Sequence, residues 1–262
     1  MLVKSLAVLM TMAAIGLHAQ TETVLSASRV GHTLVLNQVY LNGQGPFRMM
    51  IDTGNESSLV RPDVARRLRL RPAYAVERAT ASGIQKVPAV VLDEVRAGEA
   101  VDRGVEAMIA SVNWGDVDGV LGQSWLIHHD YLLDYRRHRL VLEGPPPGGG
   151  VRVGLRSAGS RPAISAEVDG RTQDLVLDSG ASDLVLFERR TADFIPAHGA
   201  QLLTNSGSIP ALEGSARVNI GGAYRRSLAA VRVASAGNGL LPASEFAAVF
   251  VSNRQGIVVL GQ

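Results

Sequence analysis

The feature that most constrains this chain is that one structural unit is written twice. An apolar run, Phe47-Arg48-Met49-Met50-Ile51, leads into Asp52-Thr53-Gly54, and a second, Leu175-Val176-Leu177, leads into Asp178-Ser179-Gly180. The two aspartates lie 126 positions apart. Each triplet is preceded by a hairpin signal, Asn42-Gly43 in one half and Asp169-Gly170 in the other. Such pairs favour tight hairpins because both central residues must reach positive φ. After each triplet comes another apolar run, Ser58-Leu59-Val60 or Leu184-Val185-Leu186-Phe187. Thr80-Ala81-Ser82-Gly83 is matched by Thr204-Asn205-Ser206-Gly207, and Gly119-Val120-Leu121-Gly122 by Gly239-Leu240-Leu241-Pro242. A shared offset across so many features is the signature of an internal duplication.

Between the copies, Gly144-Pro145-Pro146-Pro147-Gly148-Gly149-Gly150 halts any regular element and reads as a linker. The expected organisation is a signal peptide over 1–19, one lobe over 20–143, the linker over 144–150 and a second lobe over 151–262. Short Val/Ile/Leu/Thr runs between glycine turns predict an all-β fold. Two short helices are expected, one from Pro62 to Leu68, with proline in its first turn. The other is expected over Ser124–His129, matched by Ala243–Ala248.

The N-terminal segment follows the pattern of an export signal. Lys4 supplies the charge, Ser5 to Leu17 the apolar stretch, and Leu17-His18-Ala19 the cleavage site. The apolar run is too short for a membrane span, which needs roughly 18 residues. The mature chain is thus expected in the periplasm or outside the cell, without a membrane anchor. Cysteine is absent, so disulfides and thiolate chemistry are excluded and stability must come from the apolar core. A net charge of +2, with the arginines scattered, is no footprint for nucleic acid. Arg136-Arg137-His138-Arg139 reads as a hairpin turn, and His128-His129-Asp130 as surface or helix-end residues rather than metal ligands.

An aspartate at the end of an apolar strand, followed by a hydroxyl residue and glycine, sits at the rim of a sheet where the backbone can turn sharply. A pseudo-twofold axis between the copies would bring Asp52 and Asp178 together. Two adjacent carboxyls cannot both ionise cheaply, so the pair retains one proton. The ionised member can then activate water while the protonated one polarises a carbonyl.

On the paired triplets and the Gly-apolar-apolar segments, the chain resembles the retropepsin-like and pepsin-like aspartic peptidases, with both lobes fused in one polypeptide. The resemblance implies a two-lobed acid-protease β-barrel fold and hydrolysis of peptide or protein substrates at Asp52 and Asp178. It also implies no metal or cofactor, and a monomer that forms the whole pair. Thr53, Gly54, Ser179 and Gly180 would brace the catalytic loops. A flap over the cleft would centre on Ser82-Gly83, perhaps mirrored at Ser206-Gly207. The departures are Pro242 in place of glycine, expected to alter the packing behind Asp178, Asn55 after the first triplet, and a flap without tyrosine. They leave open a catalytically silent peptide-binding protein of the same fold.

Overall fold

A computed structural model describes residues 21–80, 83–111, 115–187, 201–204 and 207–262. The segment expected to be a signal peptide, and Ser82 and Ser206 at the expected flap tips, lie outside the described residues. The described chain is almost entirely β, in the two-lobed arrangement expected.

The duplication is visible in the order of strands. In the first half, neighbouring strands run Thr33–Leu41, Gln44–Ile51, Gly119–Leu121, Ser58–Val60, Val105–Ile109, Gly83–Leu92 and Tyr74–Thr80. The second half repeats this as Arg161–Val168, Arg171–Asp178, Gly239–Pro242, Leu184–Phe187, Tyr224–Val233 and Leu212–Ile220. Each Asp-bearing strand lies parallel to its Gly-apolar-apolar strand, Leu121 facing Ile51 and Leu241 facing Leu177. The hairpins turn at the residues whose chemistry requires it: φ is +49° and +73° at Asn42 and Gly43, and +48° and +81° at Asp169 and Gly170.

The halves are joined by more than the linker. Three strands from each contribute to one antiparallel sheet, ordered Val151–Gly154, Ile257–Gly261, Ala248–Ser252, Tyr131–Asp134, Arg139–Leu142 and Thr23–Val30. The central pairing crosses between halves, with Leu132 opposite Phe250. Thr23–Val30 belongs to two sheets: its first half pairs with Arg139–Leu142 and its second with Thr33–Leu36. The core is correspondingly continuous, a single buried cluster running from Leu34, Phe47 and Trp125 through Leu133 and Val251 to Ile164 and Leu177. Burial of such side chains contributes about 1.5–3 kcal/mol each.

Among the described residues, helix is confined to Pro62–Arg67, capped by Leu68, to Gln123–Leu126, and to a 3₁₀ turn over Ala243–Glu245. The last is shorter than expected because Ala248 already begins a strand of the shared sheet.

His129 corrects the surface reading of its motif. It does lie just past a helix end, but it is buried, with Nδ1 3.0 Å from Glu143 Oε1 and Nε2 2.9 Å from Asp102 Oδ2. Burial alone would lower its pKa, yet the two carboxylates together raise it above the ordinary value. Arg254, from the second half, reaches Asp130 at 2.9 Å and also pairs with Glu143. The cluster thus ties the two halves together by charge.

Candidate active site

Asp178 ends its strand and Asp52 directly follows its own; the two lie side by side at the junction of the two halves, and both are buried. Their proximity shows in the glycines. A Cβ added to Gly54 would lie 2.3 Å from Asp178 Cγ, and one added to Gly180 would lie 3.0 Å from Asp52 Cγ. Each carboxyl therefore packs on the bare backbone of the opposite triplet, which only glycine permits.

The loops are fastened to each other by four reciprocal hydrogen bonds. Thr53 Oγ1 donates to the Leu177 carbonyl at 2.7 Å and accepts from the Ser179 N–H at 2.9 Å. Ser179 Oγ donates to the Ile51 carbonyl at 2.8 Å and accepts from the Thr53 N–H at 3.0 Å. Both hydroxyl residues are buried, so every bond is made away from water. Outside this core, His32 Nε2 lies 2.9 Å from the Gly180 carbonyl, and Arg161 Nε lies 3.5 Å from Glu56 Oε1. Each half thus reaches the other half's loop a second time.

The two carboxyls have different surroundings despite equivalent positions. Asp52 accepts from the Gly54 N–H at 3.0 Å and from the Asn55 side-chain amide at 3.3 Å. Asp178 accepts from two backbone N–H groups, Gly180 at 2.7 Å and Ala181 at 3.1 Å. Burial, reinforced by the charge of Asp178, pushes Asp52 up to about 8. Burial also raises Asp178, but the Gly180 and Ala181 N–H groups, a hydrogen bond from Asp52 and the field of Arg161 oppose it. Burial thus raises both carboxyls, and the pair retains a proton between its two members.

Pro242 does not disturb this arrangement. It lies opposite Asp178 in the parallel pairing, at the position equivalent to Gly122. There the Gly122 N–H donates to Ser58 Oγ at 3.2 Å. The residue equivalent to Ser58 in the second half is Leu184, because Leu59 faces Val120 as Val185 faces Leu240. Donor and acceptor have been lost together, so the proline forfeits no hydrogen bond.

Of the expected flap residues, Gly83 and Gly207 begin strands. Gly83 faces Thr80 at the end of the Tyr74–Thr80/Gly83–Leu92 hairpin, and Gly207 faces Thr204 in the equivalent place. Sequence reasoning did not single out His32 or Gln123, whose side-chain amide donates to the Thr53 carbonyl at 2.9 Å. Asn55 was visible only as a departure. Among the described residues, no group of three or more His, Cys, Asp or Glu side chains is placed to hold a metal ion.

Residues 37–128 match the family model described as "gag-polyprotein putative aspartyl protease". An aspartic proteinase from Irpex lacteus superimposes with a TM-score of 0.61 at 12% identity, covering 92% of this chain and 97% of its own. A retropepsin-like aspartic protease from Rickettsia conorii is 23% identical over 47% of this chain and 89% of its own, with a TM-score of 0.37. No curated protein matches by sequence. The first triplet, the Tyr74–Thr80/Gly83–Leu92 hairpin and the Gly-apolar-apolar strand all fall inside the matched stretch, and the chain as a whole has the pepsin-like fold: its likeness is to the retropepsin-like and pepsin-like aspartic proteases.

Proposed function

We propose that the chain is an aspartic endopeptidase in which Asp52 and Asp178 are the catalytic residues. The observation that carries this reading is a pair of adjacent buried carboxyls on loops fastened together by reciprocal hydrogen bonds between the two halves. In the proposed reaction Asp178 takes a proton from a water molecule as its oxygen attacks the scissile carbonyl carbon. Asp52 gives its proton to the carbonyl oxygen, yielding a tetrahedral diol. Collapse of the diol breaks the C–N bond: Asp178 returns its proton to the departing amine, and one diol hydroxyl reprotonates Asp52. Both groups come from one chain, so a monomer suffices. The hydropathy and charge of residues 1–19 support a site of action outside the cytoplasm. N-terminal sequencing of the mature protein, expected to start at Gln20, checks that part.

The test is cleavage of an unfolded protein substrate by residues 20–262 across pH 3 to 9, with and without a statine-type inhibitor. Activity should fall on the acid side as Asp178 gains a proton, and on the alkaline side near pH 8 as Asp52 loses its own. Asp52→Asn should abolish it. A folded wild type that cleaves nothing at any pH, or an Asp52→Asn variant that still cleaves, would sink the proposal.

A further inference from the structure

Arg78 lies in the strand Tyr74–Thr80, which forms one side of the hairpin over the cleft. Its neighbours Glu77 and Ala75 are exposed, as alternation along a strand requires, yet Arg78 is only 9% exposed. Val76, two residues before it and so on the same face, packs against a buried cluster containing Val35, Met50 and Val120. Met50 in turn belongs to the strand Gln44–Ile51, which Asp52 directly follows. The inward face of the hairpin therefore packs toward the strand that leads into Asp52, and Arg78 on that face lies near enough to feel the charge of Asp52. Burial lowers the pKa of Arg78 and the nearby Asp52 opposes this, yet among the described residues Arg78 forms no ion pair.

An arginine buried to this extent without a carboxylate partner is costly, and the cost is recovered when an anion with matching geometry arrives. Among the described residues no ion pair joins Arg78 to either carboxyl of the dyad, although Asp52 lies near enough to oppose the lowering of its pKa. A peptide lying extended between hairpin and dyad would direct alternate side chains toward the hairpin. We propose that Arg78 is a specificity-determining residue that selects substrates with a Glu or Asp side chain close to the scissile bond. This rests on the cleft being the peptide site, as proposed above. A carboxylate would meet the guanidinium in a two-point hydrogen bond, whereas an apolar or amide side chain would leave the cation buried and unpaired.

The experiment uses peptides that differ by a single Glu/Gln exchange at each of the three positions on either side of the cleaved bond. Cleavage is measured as kcat/KM, and binding of the corresponding reduced-amide peptides, which cannot be cleaved, as Kd by fluorescence anisotropy. At one or more positions Glu should be preferred over Gln by about ten- to hundredfold in both measurements. Arg78→Leu should bring that ratio toward one, and Arg78→Lys, which keeps the charge but not the fork, should retain part of it. Circular dichroism verifies that each variant is folded. The absence of a Glu preference at every position in the wild type, or an equal preference in Arg78→Leu, overturns the inference. If nothing is cleaved but binding still shows an Arg78-dependent Glu preference, the peptidase reading fails and the assignment of Arg78 stands.

Discussion

The reciprocal brace makes a quantitative prediction through Thr53→Val, which preserves side-chain shape and removes only the hydroxyl. That hydroxyl makes two buried hydrogen bonds, to the Leu177 carbonyl and from the Ser179 N–H. Leaving a buried backbone group unsatisfied costs about 1–3 kcal/mol. Leu177 belongs to a paired strand, so its carbonyl suffers less than the Ser179 N–H, and the expected loss is about 3 kcal/mol. With a urea slope of about 3 kcal/mol/M, the midpoint should fall by about 1 M. Thr53→Ser keeps both bonds and loses one methyl, at about 1 kcal/mol.

Ser179→Ala should cost a similar amount, since it strands the Ile51 carbonyl and the Thr53 N–H. The informative quantity is the double variant. Once one hydroxyl is gone the loops can part and admit water, so the second loss should cost less. Non-additivity of about 0.5–3 kcal/mol is expected for groups in one network. Urea unfolding followed by far-UV circular dichroism measures all four variants. The reasoning is refuted if Thr53→Val is no worse than Thr53→Ser, or if the two deletions simply add.

Two further predictions concern the surroundings of the site. Gly54→Ala should reduce kcat/KM more severely than Gly180→Ala, because the added methyl would lie 2.3 Å from the Asp178 carboxyl carbon against 3.0 Å from that of Asp52; equal effects would contradict the packing. His129→Gln should destabilise the protein by about 3–5 kcal/mol at pH 5, where the imidazolium is paired with Asp102 and Glu143. A raised folded pKa means this contribution is full below the ordinary histidine value and lost as pH rises through the raised one, so urea midpoints of wild type and variant should converge in alkaline buffer.

The parts of this fold legible in the sequence are those set by local chemistry. Asn42-Gly43 and Asp169-Gly170 turn where they must, because few other pairs tolerate two positive φ angles. Pro62 begins a helix because its fixed φ and missing N–H cost nothing there. The shared sheet was not legible: pairing of Leu132 with Phe250 is made by backbone groups that every residue carries, and no side-chain pattern names the partner strand. His129 was legible as a residue near a helix end, but its burial was not, since Asp102 and Glu143 converge on it from distant positions in the chain. Arg78 did leave a trace, a cation at an inward position of an alternating strand, but inward and outward could be assigned only once Val76 was seen to pack on the core.

What the duplication preserves, and what it abandons, separates architecture from chemistry. The triplets, the hairpins and the brace between hydroxyls are kept in both copies, because the joint between halves is self-complementary and a change on one side would leave a buried partner on the other. Immediately outside the joint the copies diverge in pairs: Ser58 with Gly122 became Leu184 with Pro242, each exchange removing donor and acceptor together. Nearest the carboxyls, the Asn55 amide serves Asp52 where the Ala181 N–H serves Asp178. A perfectly symmetric pair would hold its proton equally on both sides and would have to be polarised by the substrate. Here the two carboxyls, both raised by burial, meet different neighbours: the Gly54 N–H and the Asn55 amide oppose the rise of Asp52, whereas two backbone N–H groups and the field of Arg161 oppose that of Asp178. Fusing two copies into one polypeptide is what allows this, because only then can the two sites carry different neighbours.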